Sequence, residues 1–328
     1  MKRFLPLLAL AVSGTALAGG SNYNVVPGSL PVVQGRVTEW SVPTPKFARD
    51  PAPAPDGSIF IAVMQGNKIA RFDPTSHRFQ EWDLPSGAKP HGLVVDKQGI
   101  VYYTGNGNGT IGRLDPSSGK VTEYKAPSGG DPHTIIQAGD GTLWFTVQGA
   151  DRLDRLDPKT GKIDEYRTRG GPYGLALSKD GAVWFCELSG NRLGRLDPAT
   201  STITEIELPR GSGPRRVAAT PDGSILWWAF YGSNELVKFD PIARKILKTY
   251  PLPSGGGGGA YAVTVDGAGF PWVDEISGNT VVRLDPNTEK MQVIKLPTAN
   301  TGIRKMIIAA DGRLWYMGSH SGKIGVID

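Results

Sequence analysis

Residues 171–198 read GPYGLALSKDGAVWFCELSGNRLGRLDP, and this stretch decides the fold because the chain contains related copies of it. The C-terminal Leu-Asp-Pro of this stretch is the part that recurs most regularly. Phe or Leu followed by Asp-Pro recurs with the aspartate at positions 73, 115, 157, 197, 240 and 285. The copies are 40 to 45 residues apart, and one further step of 43 reaches Asp328. The chain therefore contains seven units, and a repeat of this period indicates an assembly of small, similar structural elements.

Each unit has the composition of four short antiparallel strands. In residues 171–198 the apolar run YGLAL leads into a tight turn at Lys179-Asp180-Gly181, and the aromatic run AVWFCE follows. A turn at Gly190-Asn191 then precedes a third strand, which ends in LDP. An alternating fourth strand completes the unit, as in KVTEYKAP at 120–127. Four strands in about 40 residues are typical of a β-propeller blade.

The two ends of the chain complement each other. The seventh unit stops after its third strand, and GRVTEWSVP (35–43) closely matches the fourth-strand sequence GKVTEYKAP (119–127). We therefore predict an all-β, seven-bladed β-propeller of four-stranded antiparallel blades, closed by strand 35–43 in the last blade. An open β-solenoid or two sandwiches would not explain the matching ends.

The N-terminal segment is typical of an exported protein. Lys2 and Arg3 precede a short apolar region, and Ala16-Leu17-Ala18 resembles a cleavage site. The sequence thus predicts a signal peptide at 1–18, a linker at 19–34 and one propeller domain at 35–328, in the periplasm or secreted. A retained N-terminal anchor is the alternative, although the apolar run is short for a span of roughly 20 residues.

Composition narrows the choice of partners. Removal of Lys2 and Arg3 lowers the formal net charge from +5 to +3, and the sequence contains no basic run. We therefore expect no nucleic-acid partner, no membrane span and a monomer. Cys186 is the only cysteine, so an exported form has no internal disulfide and depends on burial for stability.

Two sets of residues should lie near one end of the central channel, because the inner strand of each blade begins there. The first residues of the seven inner strands, here called the mouth ring, are Arg49, His91, His133, Tyr173, Arg215, Tyr261 and Arg304. The ends of the second strands are Val63, Gly105, Val147, Glu187, Phe230, Glu275 and Gly318. We expect a polar binding site at this mouth, with Glu187 and Glu275 facing the ring. A single polar residue at this position could simply hydrogen-bond to loop carbonyls. Large polar or aromatic residues at all seven positions are not expected from packing alone.

The units resemble the virginiamycin B lyase (streptogramin B lyase) family over all seven repeats. The resemblance is carried by residues 171–198, by KPHGLVV at 89–95, and by DPHTIIQAGDGTLWFTVQGADRLDRLDP at 131–158. In that family a magnesium ion assists the linearisation of a cyclic depsipeptide antibiotic by elimination. The resemblance implies a carbon–oxygen lyase in which His133 is the general base, His91 contacts substrate, and Asp131 helps to hold Mg²⁺.

Two positions depart from the family pattern. Asp131 stands where the family has a glutamate, and the second carboxylate position holds Gln148. If one cation is bound, the side chains of His91, Asp131, His133 and Gln148 must converge, and Mg²⁺ prefers charged oxygen ligands. Without it, Arg215 or Arg304 could stabilise developing negative charge instead.

A non-catalytic function is the main alternative. The other ring residues Tyr173, Arg215, Tyr261 and Arg304 would then join the histidines in binding an anionic small molecule, a peptide or a partner protein. A third alternative is a lactone hydrolase with a metal at Asp131, Glu187 and Glu275.

Overall fold

The computed structural model describes residues 31–328, which form seven β-sheets around a central channel. The predicted signal peptide and residues 19–30 of the predicted linker lie outside the described residues. Six sheets contain four antiparallel strands in chain order, and the seventh contains five. The predicted all-β, seven-bladed architecture is therefore confirmed.

Strand bounds follow blade by blade, from the channel outward. Blade 1 comprises Ala48–Pro53, Ile59–Val63, Lys68–Asp73 and Arg78–Asp83. Blade 2 comprises Pro90–Val95, Val101–Gly105, Thr110–Asp115 and Lys120–Lys125. Blade 3 comprises Pro132–Gln137, Leu143–Val147, Arg152–Leu156 and Ile163–Arg167. Blade 4 comprises Pro172–Leu177, Val183–Glu187, Arg192–Asp197 and Thr202–Glu207.

The remaining blades follow the same plan. Blade 5 comprises Pro214–Ala219, Leu226–Phe230, Glu235–Asp240 and Lys245–Pro251. Blade 6 comprises Ala260–Val265, Pro271–Glu275, Thr280–Leu284 and Met291–Lys295. Blade 7 comprises Ile303–Ile308, Leu314–Gly318, Lys323–Ile327, Val37–Ser41 and Val32–Gln34. Two single 3-10 turns span Gln148–Ala150 and Gly255–Gly257.

The N-terminal strand closes the ring as the sequence predicts. Val37–Ser41 pairs antiparallel with Lys323–Ile327. The Tyr316 hydroxyl donates a buried hydrogen bond of 2.6 Å to the Glu39 carboxylate across this junction. The structure also places Val32–Gln34, which the sequence assigns to the linker, on the outside of blade 7 as a fifth strand. The turn between the two strands contains Gly35, whose φ of +58° suits glycine.

Aromatic side chains from the second strands fill the spaces between blades. Trp184, Trp228 and Trp315 are almost fully buried in these clusters. Some of these rings require a glycine on the neighbouring strand: a Cβ at Gly325 would lie only 2.2 Å from the Tyr316 ring. Within residues 31–328, no helix has the length and apolar character that a membrane-crossing helix needs.

Candidate functional site at the channel mouth

Every inner strand has a β-bulge at its start. In blade 3 the pairing register shifts between Pro132 and Ile135, and the other six inner strands shift at the equivalent place. A bulge re-aims side chains and is frequent beside functional sites. The mouth-ring residue lies inside the bulge in all seven blades, so the backbone itself places these seven side chains at the mouth.

The aromatic members of the mouth ring stack on one another across the channel. The ring centroids of His91 and His133 are 3.6 Å apart, and those of His133 and Tyr173 are 4.1 Å apart. The hydroxyl of Tyr173 contacts the hydroxyl of Tyr261. Each of these four side chains is at most 6% exposed. The rings therefore occupy the channel mouth themselves.

Four arginines surround the two tyrosines. This four-arginine cluster consists of the ring residues Arg49, Arg215 and Arg304 together with Arg216. The Arg215 guanidinium lies 4.4 Å from the centroid of the Tyr261 ring, and that of Arg216 lies 5.1 Å from the Tyr173 ring. Arg304 Nη1 donates a hydrogen bond of 3.2 Å to the Tyr261 hydroxyl. Cation–π contacts and this hydrogen bond thus hold the guanidinium groups in place.

One buried carboxylate offsets part of this positive charge. Asp50 Oδ2 lies 3.6 Å from Arg216 Nη2 and 4.0 Å from Lys305 Nζ, one layer below the mouth ring. Asp50 itself is completely buried. Asp274 is also buried, and burial raises its pKa well above the usual value, which disfavours its charged form.

The other three arginines have no carboxylate counterpart among the residues that the structure describes. In the described part of the chain, Arg49, Arg215 and Arg304 form no ion pair with an acidic residue. Within residues 31–328, Nε and Nη2 of Arg49 are buried without a hydrogen-bond partner, as are both ring nitrogens of His91. Buried polar atoms are normally paired. The mouth therefore carries excess positive charge and unused hydrogen-bonding capacity.

Glu187 and Glu275 do not face this cluster, and the expectation that they would is wrong. The Glu187 carboxylate is fully buried and accepts a hydrogen bond of 2.6 Å from Arg192 Nε. Glu275 accepts hydrogen bonds from Asn234 Nδ2 and from the backbone and hydroxyl of Ser254. Side chains alternate along a strand, so the last residue of the second strand points between blades. The lactone-hydrolase alternative loses two of its three proposed ligands.

The residue after the second strand reaches the mouth instead. In blade 5 this residue is Tyr231, which is 38% exposed and whose ring centroid lies 4.7 Å from the Arg215 guanidinium carbon. In blade 7 the mouth-facing residue is His320, two positions after the strand end at Gly318, and its Nε2 lies 3.2 Å from Arg304 Nη2. Counting past the end of the aromatic strand in the sequence leads to both residues.

Phe47 is a further mouth residue that the sequence analysis missed. Its ring lies 5.2 Å from the guanidinium carbon of Arg49 and 5.4 Å from that of Arg304. Its φ is +50°, an uncommon conformation for a bulky side chain. Such strain is concentrated at functional sites. Nothing in the local sequence RVTEWSVPTPKFARDP marks the left-handed conformation.

Burial and the arginines shift the pKa values of the aromatic groups. Burial, then the nearby Arg49, lowers the pKa of His91 well below its usual value. Burial and Arg216 do the same for His133. Burial opposes ionisation of Tyr261, but the four-arginine cluster outweighs it and lowers the pKa of Tyr261 to about 7. Burial, followed by Tyr261, raises the pKa of Tyr173. Near neutral pH the histidines are uncharged and Tyr261 is the group that titrates.

The predicted magnesium ligands do not fit a magnesium ion. Asp131 Oδ1 accepts a hydrogen bond of 2.6 Å from the Gly149 amide and so stabilises the 3-10 turn Gln148–Ala150. Gln148 supplies no charge. No three His, Cys, Asp or Glu side chains within residues 31–328 are grouped as a metal site would require. His91, Asp131, His133 and Gln148 therefore do not form the expected donor set, and no chemical step is assigned to Mg²⁺.

The fold and this mouth define a seven-bladed β-propeller with a buried, cationic and aromatic axial site. The sequence profile of the virginiamycin B lyase family matches residues 31–170 and 158–328. The chain belongs to that family.

Solved structures support the same fold. A streptogramin B lyase is 27% identical with a TM-score of 0.81, and the match covers 89% of this chain and 97% of that one. The virginiamycin B lyase of Staphylococcus aureus is 24% identical with a TM-score of 0.80, covering 88% and 98%. The hydrazine synthase of Kuenenia stuttgartiensis is 17% identical with a TM-score of 0.75, covering 85% and 95%. No curated protein sequence matches this chain.

Proposed function

We propose that this virginiamycin B lyase family propeller binds an anionic small molecule or peptide at the channel mouth. The observation that carries the proposal is the four-arginine cluster, in which three arginines lack an acidic partner among the described residues. Like charges at low dielectric repel strongly, so an anion that joins them gains binding energy from each. Arg215 and Arg304 are only half-buried, which leaves them within reach of a ligand from solvent.

A thermal unfolding series tests this proposal. Small carboxylates, and a short peptide in its acid and amide forms, are titrated into the full-length protein. We expect the acids to raise Tm, because a free ligand concentration about 100 times Kd adds about 2.7 kcal/mol to the free energy of unfolding. The amide should have no effect. Arg215→Gln and Arg304→Gln should reduce the shift, whereas Arg78→Gln, on the exposed outer strand of blade 1, should not. Equal shifts with acid and amide would contradict the proposal.

Elimination of a carbon–oxygen bond is the second candidate function. It is favoured by the adjacent positions of His91 and His133, whose rings are 3.6 Å apart at the starts of neighbouring blades. His133 would remove a proton and Arg215 or Arg304 would stabilise the resulting charge. Against this candidate, the low pKa of His133 makes it a weak base, and its side chain is 6% exposed.

Mass spectrometry distinguishes the two candidates. One of the related structures is an inactive virginiamycin B lyase solved with quinupristin, and this compound is a suitable probe. The binding proposal expects no linearised product from this protein, with or without Mg²⁺. Linearisation that disappears in His133→Ala would establish the elimination candidate instead.

We also propose that the mature protein is an exported monomer, on the basis of the N-terminal sequence pattern. Cell fractionation followed by intact-mass analysis should find a product that begins at Gly19. Light scattering should give the mass of one chain. A full-length cytoplasmic product would contradict the export proposal, and a dimer mass would contradict the monomer.

A further inference from the structure

Arg215 and Arg304 form the accessible part of the four-arginine cluster. Both contact the Tyr261 ring, with guanidinium carbons 4.4 and 5.2 Å from its centroid. Arg215 is held between the rings of Tyr261 and Tyr231. Arg304 is held by the Tyr261 hydroxyl and by His320. The two cations are therefore fixed on either side of one tyrosine.

Tyr261 can act as the counter-ion of these two arginines when its hydroxyl is ionised. Its hydroxyl contacts the Tyr173 hydroxyl, an arrangement in which two phenols can share one proton. The titratable and charged groups that face Tyr261 are Arg49, Tyr173, Arg215, Arg216, Tyr231, Asp274 and Arg304. The cations outnumber the anions in this set, so the surroundings favour the phenolate.

We propose that a carboxylate binds between Arg215 and Arg304 and that its binding is coupled to protonation of Tyr261. This inference rests on the proposed function and deepens it, because it names a ligand class, an organic carboxylate, and a competing internal anion. The exposed ring of Tyr231 beside Arg215 offers an aromatic surface to the rest of the ligand. The bound carboxylate takes over the role of the phenolate, and one proton moves from solvent to Tyr261.

The sign of the pH dependence follows from this exchange. The pKa of Tyr261 is about 7 in the free protein, and a second negative charge beside it raises that value. Binding therefore takes up a proton, and affinity is greatest below the free pKa. Above it, affinity should fall about tenfold per pH unit until the pKa of the bound form is reached.

Benzoate is the probe, and benzamide is its uncharged control. Benzoate remains ionised above about pH 6 because carboxyl pKa values lie near 4. We expect benzoate to bind the full-length protein more tightly at pH about 6 than at about 9, and to decrease the near-ultraviolet absorbance of tyrosinate. Benzamide should do neither. The absorbance measurement uses the wild-type protein and does not depend on any variant folding.

Three variants locate the site. Tyr261→Phe should bind benzoate with an affinity that no longer depends on pH. Arg215→Gln and Arg304→Gln should each weaken binding at least tenfold, with Arg78→Gln as the control on an outer strand. Near-ultraviolet circular dichroism verifies that each variant retains its fold.

Failure of the coupling can be told apart from failure of the proposed function. If benzoate binds equally at both pH values with no loss of tyrosinate absorbance, the coupling is overturned and anion binding survives. If Arg215→Gln and Arg304→Gln bind as wild type does, the assigned position is overturned. If no carboxylate binds at any pH, both the coupling and the proposed function are overturned.

Discussion

The two ends of the seven inner strands differ in charge, although all seven strands have the same backbone structure. At the mouth, the seven ring positions hold three arginines, two histidines and two buried tyrosines, and positive charge accumulates there. The opposite ends are Pro53, Val95, Gln137, Leu177, Ala219, Val265 and Ile308, which are uncharged and mostly apolar. A propeller channel therefore does not require charge at its ends. The cationic mouth is a property of this sequence, which is why we attribute it to ligand binding.

The largest expected effect comes from breaking the buried ion pair beneath the mouth. Arg216→Ala leaves the buried Asp50 with only the more distant Lys305 as a cationic partner, and breaking a buried ion pair costs about 3–5 kcal/mol in the free energy of unfolding. Urea unfolding measures the loss. Arg78→Ala on an exposed outer strand should cost less than about 0.5 kcal/mol. Recovery of stability in Asp50→Asn/Arg216→Met would confirm the cause, and a small loss in Arg216→Ala would refute it.

A buried carboxylate away from the mouth gives the next largest effect. Asp154 lies on the third strand of blade 3, where burial and then Glu165 raise its pKa to about 7. Its folded pKa lies above the unfolded value, so wild-type stability falls as pH rises from about 4 to about 7. Asp154→Ala should remove this dependence and stabilise the protein by roughly 2–4 kcal/mol at pH about 8.

Melting curves at acidic and mildly alkaline pH measure the effect at Asp154. Asp164→Ala, on the neighbouring outer strand, is the control and should leave the pH dependence unchanged. The prediction is wrong if Asp154→Ala retains the wild-type slope of Tm against pH. Alanine is compatible with the position because the equivalent residue in blade 1 is Ala70.

Backbone conformation before the mouth ring gives a smaller effect. Six of the seven blades have a residue with positive φ two positions before the ring residue: Phe47, Lys89, Gly171, Gly213, Gly259 and Gly302. Lys89 is exposed and has a φ of +45°, so Lys89→Gly should stabilise the fold by about 1 kcal/mol. Gly302→Ala should destabilise it, because a Cβ there would lie 2.4 Å from the His320 ring. Chemical denaturation of both variants tests the pair, and changes of the same sign would contradict it.

The smallest effect is expected at the apolar end of the channel. Gln137 is half-buried at the end of its strand, and its amide makes one long hydrogen bond of 3.4 Å to Gly141. Gln137→Leu should change the free energy of unfolding by less than about 0.5 kcal/mol and leave benzoate affinity unaltered. Calorimetric titration provides the comparison with Arg304→Gln. A loss of affinity in Gln137→Leu would mean that the site extends through the channel.

The sequence predicts the architecture well because the same pattern of strands and turns is repeated in each blade. The Asp-Pro spacing gives the number of blades, and the match between 35–43 and 119–127 gives the closure. The mouth ring is also readable, since the seven residues occupy one position of the repeat. The fifth strand Val32–Gln34 was missed because it has no counterpart in the other blades.

Other features of the site depend on geometry that the repeat does not encode. Strand alternation at the end of each second strand determines that Glu187 points between blades and that Tyr231 reaches the mouth. Asp131 accepts a hydrogen bond from the Gly149 amide, 18 positions away, and the sequence alone does not distinguish such a contact from metal coordination. The low pKa of Tyr261 depends on four arginines from three different blades. Their distances from Tyr261 are determined only when the whole ring has folded.

Ring closure imposes an order on biosynthesis. Glu39 and Tyr316, which hold the closing strand, are 277 positions apart, so the ribosome makes one long before the other. Until then Val37–Ser41 can pair only with Val32–Gln34 in its blade, and the mouth is an incomplete arc. An unfinished chain therefore lacks the complete ring of arginines at which we propose that an anion binds.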